Sequence, residues 1–409
     1  MKLLLAGLLI ITFHMEARTY TVGTKKQFRI IKDALSIAQN YDTIYVHEGV
    51  YREGTIKINR PLSLFGVNHP IIDGDRKFEV ITIDADNVVL KGFVIQHSGY
   101  ATLDDPGGVK VRDSRNVIVE QNILNENFFG IYIQNCTKCF IRNNTISATG
   151  KEEQTIGNGI HCWKSDSLQI TGNSVTGHRD GIYFEFVTNS VIWRNVSYSN
   201  IRYGLHFMFS NNDAYFTNTF TGNGAGVAVM FTKNVTMMNN RFLDNWGDAA
   251  YGLLLKEISD SYISGNNFSG NTSGIYMEGT SRIVVEKNHL NDNGWGMRIQ
   301  ASCMDNLIQY NVFSNNTFDV STNGSLVLNV FKKNYWDKYD GYDLNRDNIG
   351  DVPFHPLSLF SVIAESSPSA MLLYRSFIVS VLDQTERILP SLTPDEFVDL
   401  EPLMKPALK

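Results

Sequence analysis

Three side chains near the middle of the chain, His206, Met208 and Met230, carry the donor atoms of a soft-metal site. Thioether sulfur selects Cu(I) and imidazole suits copper, whereas calcium or magnesium would want oxygens that are missing here. The same two methionines would also serve as a greasy patch for a protein partner, with no metal involved. A second constellation is Asp343, Asn345, Asp347 and Asp351, with oxygen-bearing side chains at every second residue through Asp347. That spacing resembles a Ca²⁺ loop. Asn348 replaces the glycine expected after the third ligand and no Glu closes the site, so an Asx-rich turn is the competing expectation. The pair Cys136 and Cys139 is open to three readings: a disulfide, a soft-metal pair, or two small side chains in a turn.

The elements that must position these residues are legible from a repeat. A segment of the form Gly, apolar, variable, apolar, variable starts at Gly108, Gly130, Gly159, Gly181, Gly204, Gly226, Gly252, Gly274 and Gly296, spaced by 22, 29, 22, 23, 22, 26, 22 and 22 residues. Such a period marks a solenoid, and the two-residue alternation marks strands with one buried face. A second series, Asn followed two residues later by an apolar residue, recurs from Asn122 to Asn334, with Asn195 in place but followed by Val-Ser. Stacked asparagines at a bend would satisfy polar groups that the coil buries. About 22 residues per turn fits three short strands joined by tight bends. The predicted fold is therefore all-β, a right-handed parallel β-helix, with loops leaving the coil at 147–157 and 245–251.

If the apolar residues face inward, the second and fourth residues after each glycine face outward. Met208 and Met230 then share a column on neighbouring turns, ~4.8 Å apart at the backbone, with His206 on the same face one strand repeat away. His161, two turns from His206, is too distant for the same ion. Cys162 and Met277 should point inward. Glu185 and Glu278 are the carboxylates of this central row, four turns apart, and Glu278 should pair with Lys256 on the adjacent turn.

The ends complete the plan. Lys2, an apolar run from Leu3 to Phe13 and Met15-Glu16-Ala17 read as a signal peptide over 1–17, which implies export. Residues 18–60 should form an N-terminal cap, with Phe28, Ile31, Ala34, Leu35 and Ala38 on one helix face and Thr43–Val46 as a first strand. The coil should occupy 61–336, followed by an acidic loop and linker at 337–365. From Ser366 to Leu389 a helix is predicted, with Pro368 in its first turn and an apolar surface wider than its own core needs. Leu372, Leu373, Phe377, Ile378 and Val381 are its candidate docking residues, within a docking helix and tail at 366–409.

A net charge of −6 argues against a nucleic-acid partner. Exported β-helices are often polysaccharide lyases, epimerases or carbohydrate-binding surface proteins, which makes a carbohydrate-active enzyme the rival class. Such an enzyme needs paired carboxylates, or a carboxylate-bound metal beside a basic group, and the outward row supplies neither. The stretches Asn158-Gly-Ile-His-Cys-Trp163, Asp180-Gly-Ile-Tyr183, Arg202-Tyr-Gly-Leu-His-Phe-Met-Phe-Ser-Asn211, Gly226-Val-Ala-Val-Met-Phe-Thr-Lys233 and Asn334-Tyr-Trp-Asp337, with Gly341-Tyr-Asp343 and Ile349-Gly-Asp351, resemble the NosD family. That resemblance implies a non-catalytic periplasmic subunit on an ABC-type permease and its ATPase. It would receive copper from a lipoprotein chaperone and engage nitrous-oxide reductase during assembly of its copper-sulfide centre.

Overall fold

The computed structural model of the chain describes residues 17–100, 105–247, 250–324, 328–374, 376–388 and 397–406. The leader falls almost wholly outside these residues. Within them the chain winds as a right-handed parallel β-solenoid of about 13 turns. Its three faces are parallel sheets of 14, 12 and 13 strands, each strand pairing with its copies one turn before and after.

The repeat glycines belong to the 12-stranded sheet, and contact between turns explains their identity. A Cβ at Gly130 would lie 2.4 Å from the Gly159 carbonyl oxygen, and one at Gly226 would lie 2.3 Å from that of Gly252. No side chain fits between turns so closely stacked. The apolar positions of the repeat are fully buried, among them Leu205, Phe207, Val227 and Val229. Cys162 and Met277 are buried in the same way, as the alternation predicts.

The predicted asparagine series is a continuous ladder. The backbone N–H and Nδ2 of Asn122 donate to Asn144 Oδ1 at 3.0 and 3.1 Å. Asn195, included in the series, passes both bonds to Asn218 at 2.9 and 3.0 Å. The last rung, Asn334, donates both to Asp399 Oδ2, at 3.0 and 3.1 Å. Asp399 comes from the C-terminal segment, which thus caps this end of the ladder. Phe397 packs edge-on to Phe331 with ring centroids 4.9 Å apart, and Leu403 pairs with Tyr335.

At the other end the helix Ile31–Ile37 buries Ile31, Ala34 and Leu35 as predicted, with Ala38 buried just beyond it. The predicted first strand is present as Asp42–Val46, but Thr19–Val22 pairs outside it and forms the true edge. The predicted single helix from Ser366 to Leu389 is corrected. The chain forms an α-helix at Leu359–Ser366, a 3₁₀ turn at Pro368–Leu373 and a second α-helix at Phe377–Ile388. Pro368 has no N–H and disfavours helical geometry at Ser367, which adopts φ −140°, ψ 88°. Phe360, Ala364 and Val379 close onto Phe318 at the end of the 12-stranded sheet. Among the described residues no helix is long and apolar enough to cross a membrane.

Candidate metal site on the outer face of the coil

The register of the 12-stranded sheet places the predicted residues side by side. Met208 pairs with Met230, Glu185 with Met208, and Tyr183 with His206. Both methionines are half-buried and lie outside the apolar core. The sidedness read from the alternation therefore holds for both sulfurs. On the next turn Met230 is followed by Lys256, which pairs with Glu278 at 3.0 Å, the predicted surface ion pair.

His206 differs from the expectation of a solvent-facing side chain. It points out of the coil yet is only 4% exposed, because the ring of Tyr203 lies over it at 4.8 Å and that of Tyr183 packs edge-on at 5.0 Å. Neither ring nitrogen has a hydrogen-bond partner. Asp180, buried in the bend before Gly181, brings Oδ2 to 3.5 Å from His206 Nδ1. Its Oδ1 lies 3.4 Å from Arg202 Nε and accepts the Tyr203 N–H at 3.4 Å. The Tyr183 hydroxyl lies 3.3 Å from Glu185 Oε2 and 3.6 Å from Met208 Sδ. Burial and the neighbouring Glu185 carboxylate raise its pKa, so it stays a protonated donor.

Two orphaned nitrogens on a buried imidazole beside two thioethers fit a soft monovalent ion. A buried polar atom without a partner costs ~1–3 kcal/mol, and a ligand that accepts the Nε2 lone pair recovers it. His206 Nε2 and the sulfurs of Met208 and Met230 would be the donors. His161 is held elsewhere: it stacks between Tyr132 and Tyr183 at 4.5 and 4.8 Å, and its Nδ1 lies 2.9 Å from Asn158 Nδ2. Burial, then Arg179, push its pKa down to about 3. Beside the sulfurs, Phe186, Phe209 and Phe231 stack at 5.2 and 5.1 Å, all exposed and all in left-handed backbone geometry, at φ 50° to 54°.

The other candidates sort differently. Asp343 accepts the N–H groups of Arg346, Asp347 and Asn348, Asp347 that of Ile349, Asn345 that of Asp347, and Asp351 that of Leu344. These are the bonds of an Asx-rich turn. Among the described residues no group of three or more His, Cys, Asp or Glu converges as a metal site. Cys136 and Cys139 are buried free thiols, and the hydrogen bond they share, together with burial, pushes Cys136 up. Leu372, Leu373, Phe377, Ile378 and Val381 are all exposed on the C-terminal helices, Leu372 at 89% and Phe377 at 82%.

Two elements escaped the sequence reading. Asp180 lies outside the outward row, so alternation alone gives it no role. A second asparagine ladder runs five residues behind the first, through Asn200, Asn223, Asn245, Asn271, Asn293 and Asn316. The constant offset of five was the available signal. It also marks two substitutions, Thr149 and buried His178, on successive turns ahead of Asn200.

Comparison with known proteins places these features. Residues 147–345, which include His206, Met208 and Met230, match the family described as periplasmic copper-binding protein (NosD), and residues 31–175 match a right-handed beta helix region. A probable ABC transporter binding protein NosD of Stutzerimonas stutzeri is 27% identical, covering 86% of this chain and 85% of that one. Its counterpart in Pseudomonas aeruginosa is 26% identical, covering 86% of each. Among solved structures, the surface adhesin PfbA of Streptococcus pneumoniae aligns with a TM-score of 0.53 at 14% identity, over 80% of this chain and 93% of its own. The mannuronan C-5 epimerase AlgE6 A-module of Azotobacter vinelandii gives 0.51 at 15%, over 74% and 87%. Those two likenesses bear on the fold alone. Along 86% of its length the chain thus resembles the NosD proteins, its residues 147–345 match the NosD family model, and its fold is the right-handed parallel β-helix.

Proposed function

We propose that this chain is the exported, non-catalytic subunit of an ABC-type transporter complex, and that it holds Cu(I) on His206, Met208 and Met230 for delivery to nitrous-oxide reductase. Copper is cargo in this reading. A lipoprotein chaperone hands it over, and the chain passes it on while the copper-sulfide centre is assembled. The apolar surface of Leu372, Leu373, Phe377, Ile378 and Val381 docks on the permease, whose partner is the ATPase.

The observation that carries the reading is the pairing of Met208 with Met230 in register on the outer face, beside an imidazole with no hydrogen-bond partner. Imidazole and two thioethers form a donor set that prefers Cu(I) to hard cations. The names of the two bacterial relatives support attachment to an ABC transporter. The enzymatic alternative finds Asp180 and His206 closed off by burial, where a polymer has no access to them.

Titration of the purified chain with Cu(I) against a chromogenic competitor tests the proposal. One tightly held Cu(I) per chain is expected, with no release of unsaturated or reducing sugars from acidic polysaccharides. Failure to bind Cu(I), or release of such sugars, overturns it.

A further inference from the structure

We propose that Asp180 is the positioning residue for His206: its Oδ2 accepts a hydrogen bond from Nδ1–H and thereby leaves the Nε2 lone pair for the ion held with Met208 and Met230. The inference rests on the copper reading above and adds a residue that no repeat pattern singles out.

Asp180 Oδ2 and both ring nitrogens of His206 are buried and make no hydrogen bond of ordinary geometry, yet Oδ2 and Nδ1 face each other at 3.5 Å. Two buried polar groups left so close gain by closing a few tenths of an ångström into a charge-assisted bond. What keeps them apart is a competing hold on the carboxylate. Oδ1 is drawn toward Arg202 Nε and the Tyr203 N–H, both at 3.4 Å, and both are also long. The carboxylate is thus suspended between loose partners at the start of the strand Tyr203–Met208 and an unmet donor further along the same strand.

Neutral imidazole carries one proton, and its position decides which nitrogen can bind a metal. With the proton on Nδ1 facing Oδ2, Nε2 is bare. Tyr203 and Tyr183 fix the ring from two sides, so tautomer and orientation are set together. A carboxylate behind a ligating histidine also raises its basicity, and loss of such a partner typically weakens metal affinity about 10–100-fold. Ala228, the next residue in the His206 column, is the smallest side chain in that row and leaves the ring unopposed on that turn.

The test is Asp180→Asn, which is nearly isosteric and keeps an oxygen for the Tyr203 N–H. Two measurements are made. In protein labelled with ¹⁵N-histidine and free of copper, long-range ¹H–¹⁵N correlation should show His206 as the Nδ1–H tautomer, and the variant should lose that preference. In Cu(I) titrations the variant should bind about 10–100-fold more weakly, with X-ray absorption showing both sulfur scatterers retained and the nitrogen scatterer lost. A His206 with the proton on Nε2 in the parent chain, or an Asp180→Asn variant binding as tightly as the parent, overturns this proposal alone. A parent chain that binds no Cu(I) overturns the copper reading instead, and the tautomer measurement still decides whether Asp180 positions the ring. Should Asp180→Asn fail to fold, Arg202→Met releases the competing hold on the same carboxylate. It should preserve the Nδ1–H tautomer and leave affinity equal or higher, and a lower affinity in a folded Arg202→Met protein counts against the proposal.

Discussion

Asp399 Oδ2 accepts a hydrogen bond from the indole Nε1 of Trp336 at 3.1 Å, joining the last turn of the coil to a residue more than sixty positions further along the chain. The same carboxylate takes the N–H and Nδ2 of Asn334, and its other oxygen takes the N–H groups of Lys333 and Glu401. A carboxylate from the tail thus supplies the Oδ1 that the next asparagine would have given. Asp399→Ala leaves these buried donors without an acceptor and should cost about 2–5 kcal/mol. It should also open the sheet edge to association. Thermal unfolding with light scattering checks this, and an unchanged midpoint would remove the capping role.

Stability should depend on pH through three groups. Burial raises Asp213 to about 8, and lowers His161 and His178 to about 3 and about 4. Between about pH 4 and 8 the unfolded chain releases the Asp213 proton while the folded chain keeps it, so this term falls as pH rises, by about 1.4 kcal/mol per unit. The histidines act in the opposite sense: below about 6.5 the unfolded chain protonates them and the folded chain does not, so their term falls as pH drops. For the three together stability is greatest near pH 6.5. From there to pH 8 the Asp213 term outweighs the remaining titration of the histidines, and about 1 kcal/mol should be lost. Asp213→Asn should abolish that loss, as denaturation midpoints at the two pH values would reveal; an equal fall in the variant would refute the assignment.

Much of this was legible in the sequence because one physical demand recurs every turn. A side chain has two directions in a strand and a glycine has one reason to stand where turns touch, so the inward placement of Cys162 and the outward placement of Met208 follow from counting. The ladder asparagines are equally readable, because a bend that buries its own amides needs the same side chain each time. What counting does not reveal is contact between a bend and the strand of the next turn. Asp180 reaches His206 across that gap, and Tyr203 covers the ring from a position just before a repeat glycine. Beyond Trp336 the repeat stops, and a single apolar run there concealed the break that Ser367 and Pro368 impose.

The C-terminal helices keep the residues that fold them apart from the proposed docking surface. Val379 is buried against the coil end, whereas Leu372 and Phe377 stand in solvent. Removing the whole segment from Ser366 onward would also take away Asp399, so point substitutions are the cleaner probe. Leu372→Asp with Phe377→Asp should shift stability by no more than about 0.5 kcal/mol each. The same pair should abolish copurification with the permease. Persistence of that complex in the folded variant would end the docking proposal.

The two readings of the methionine pair, ligand or greasy patch, part company on substitution by leucine. Met208→Leu and Met230→Leu keep volume and apolarity and remove only sulfur, and volume-conserving exchanges usually cost less than ~1.5 kcal/mol. A patch that binds protein through apolar contact would tolerate them. A thioether ligand has no substitute in leucine, and each lost donor worth about 1.4 kcal/mol weakens binding tenfold. Cu(I) affinity should therefore drop about tenfold in each single variant and further in the double one, with the melting temperature nearly unchanged. Full Cu(I) affinity in the double variant would return Met208 and Met230 to the role of a protein-binding surface, and would leave His206 without its sulfur partners.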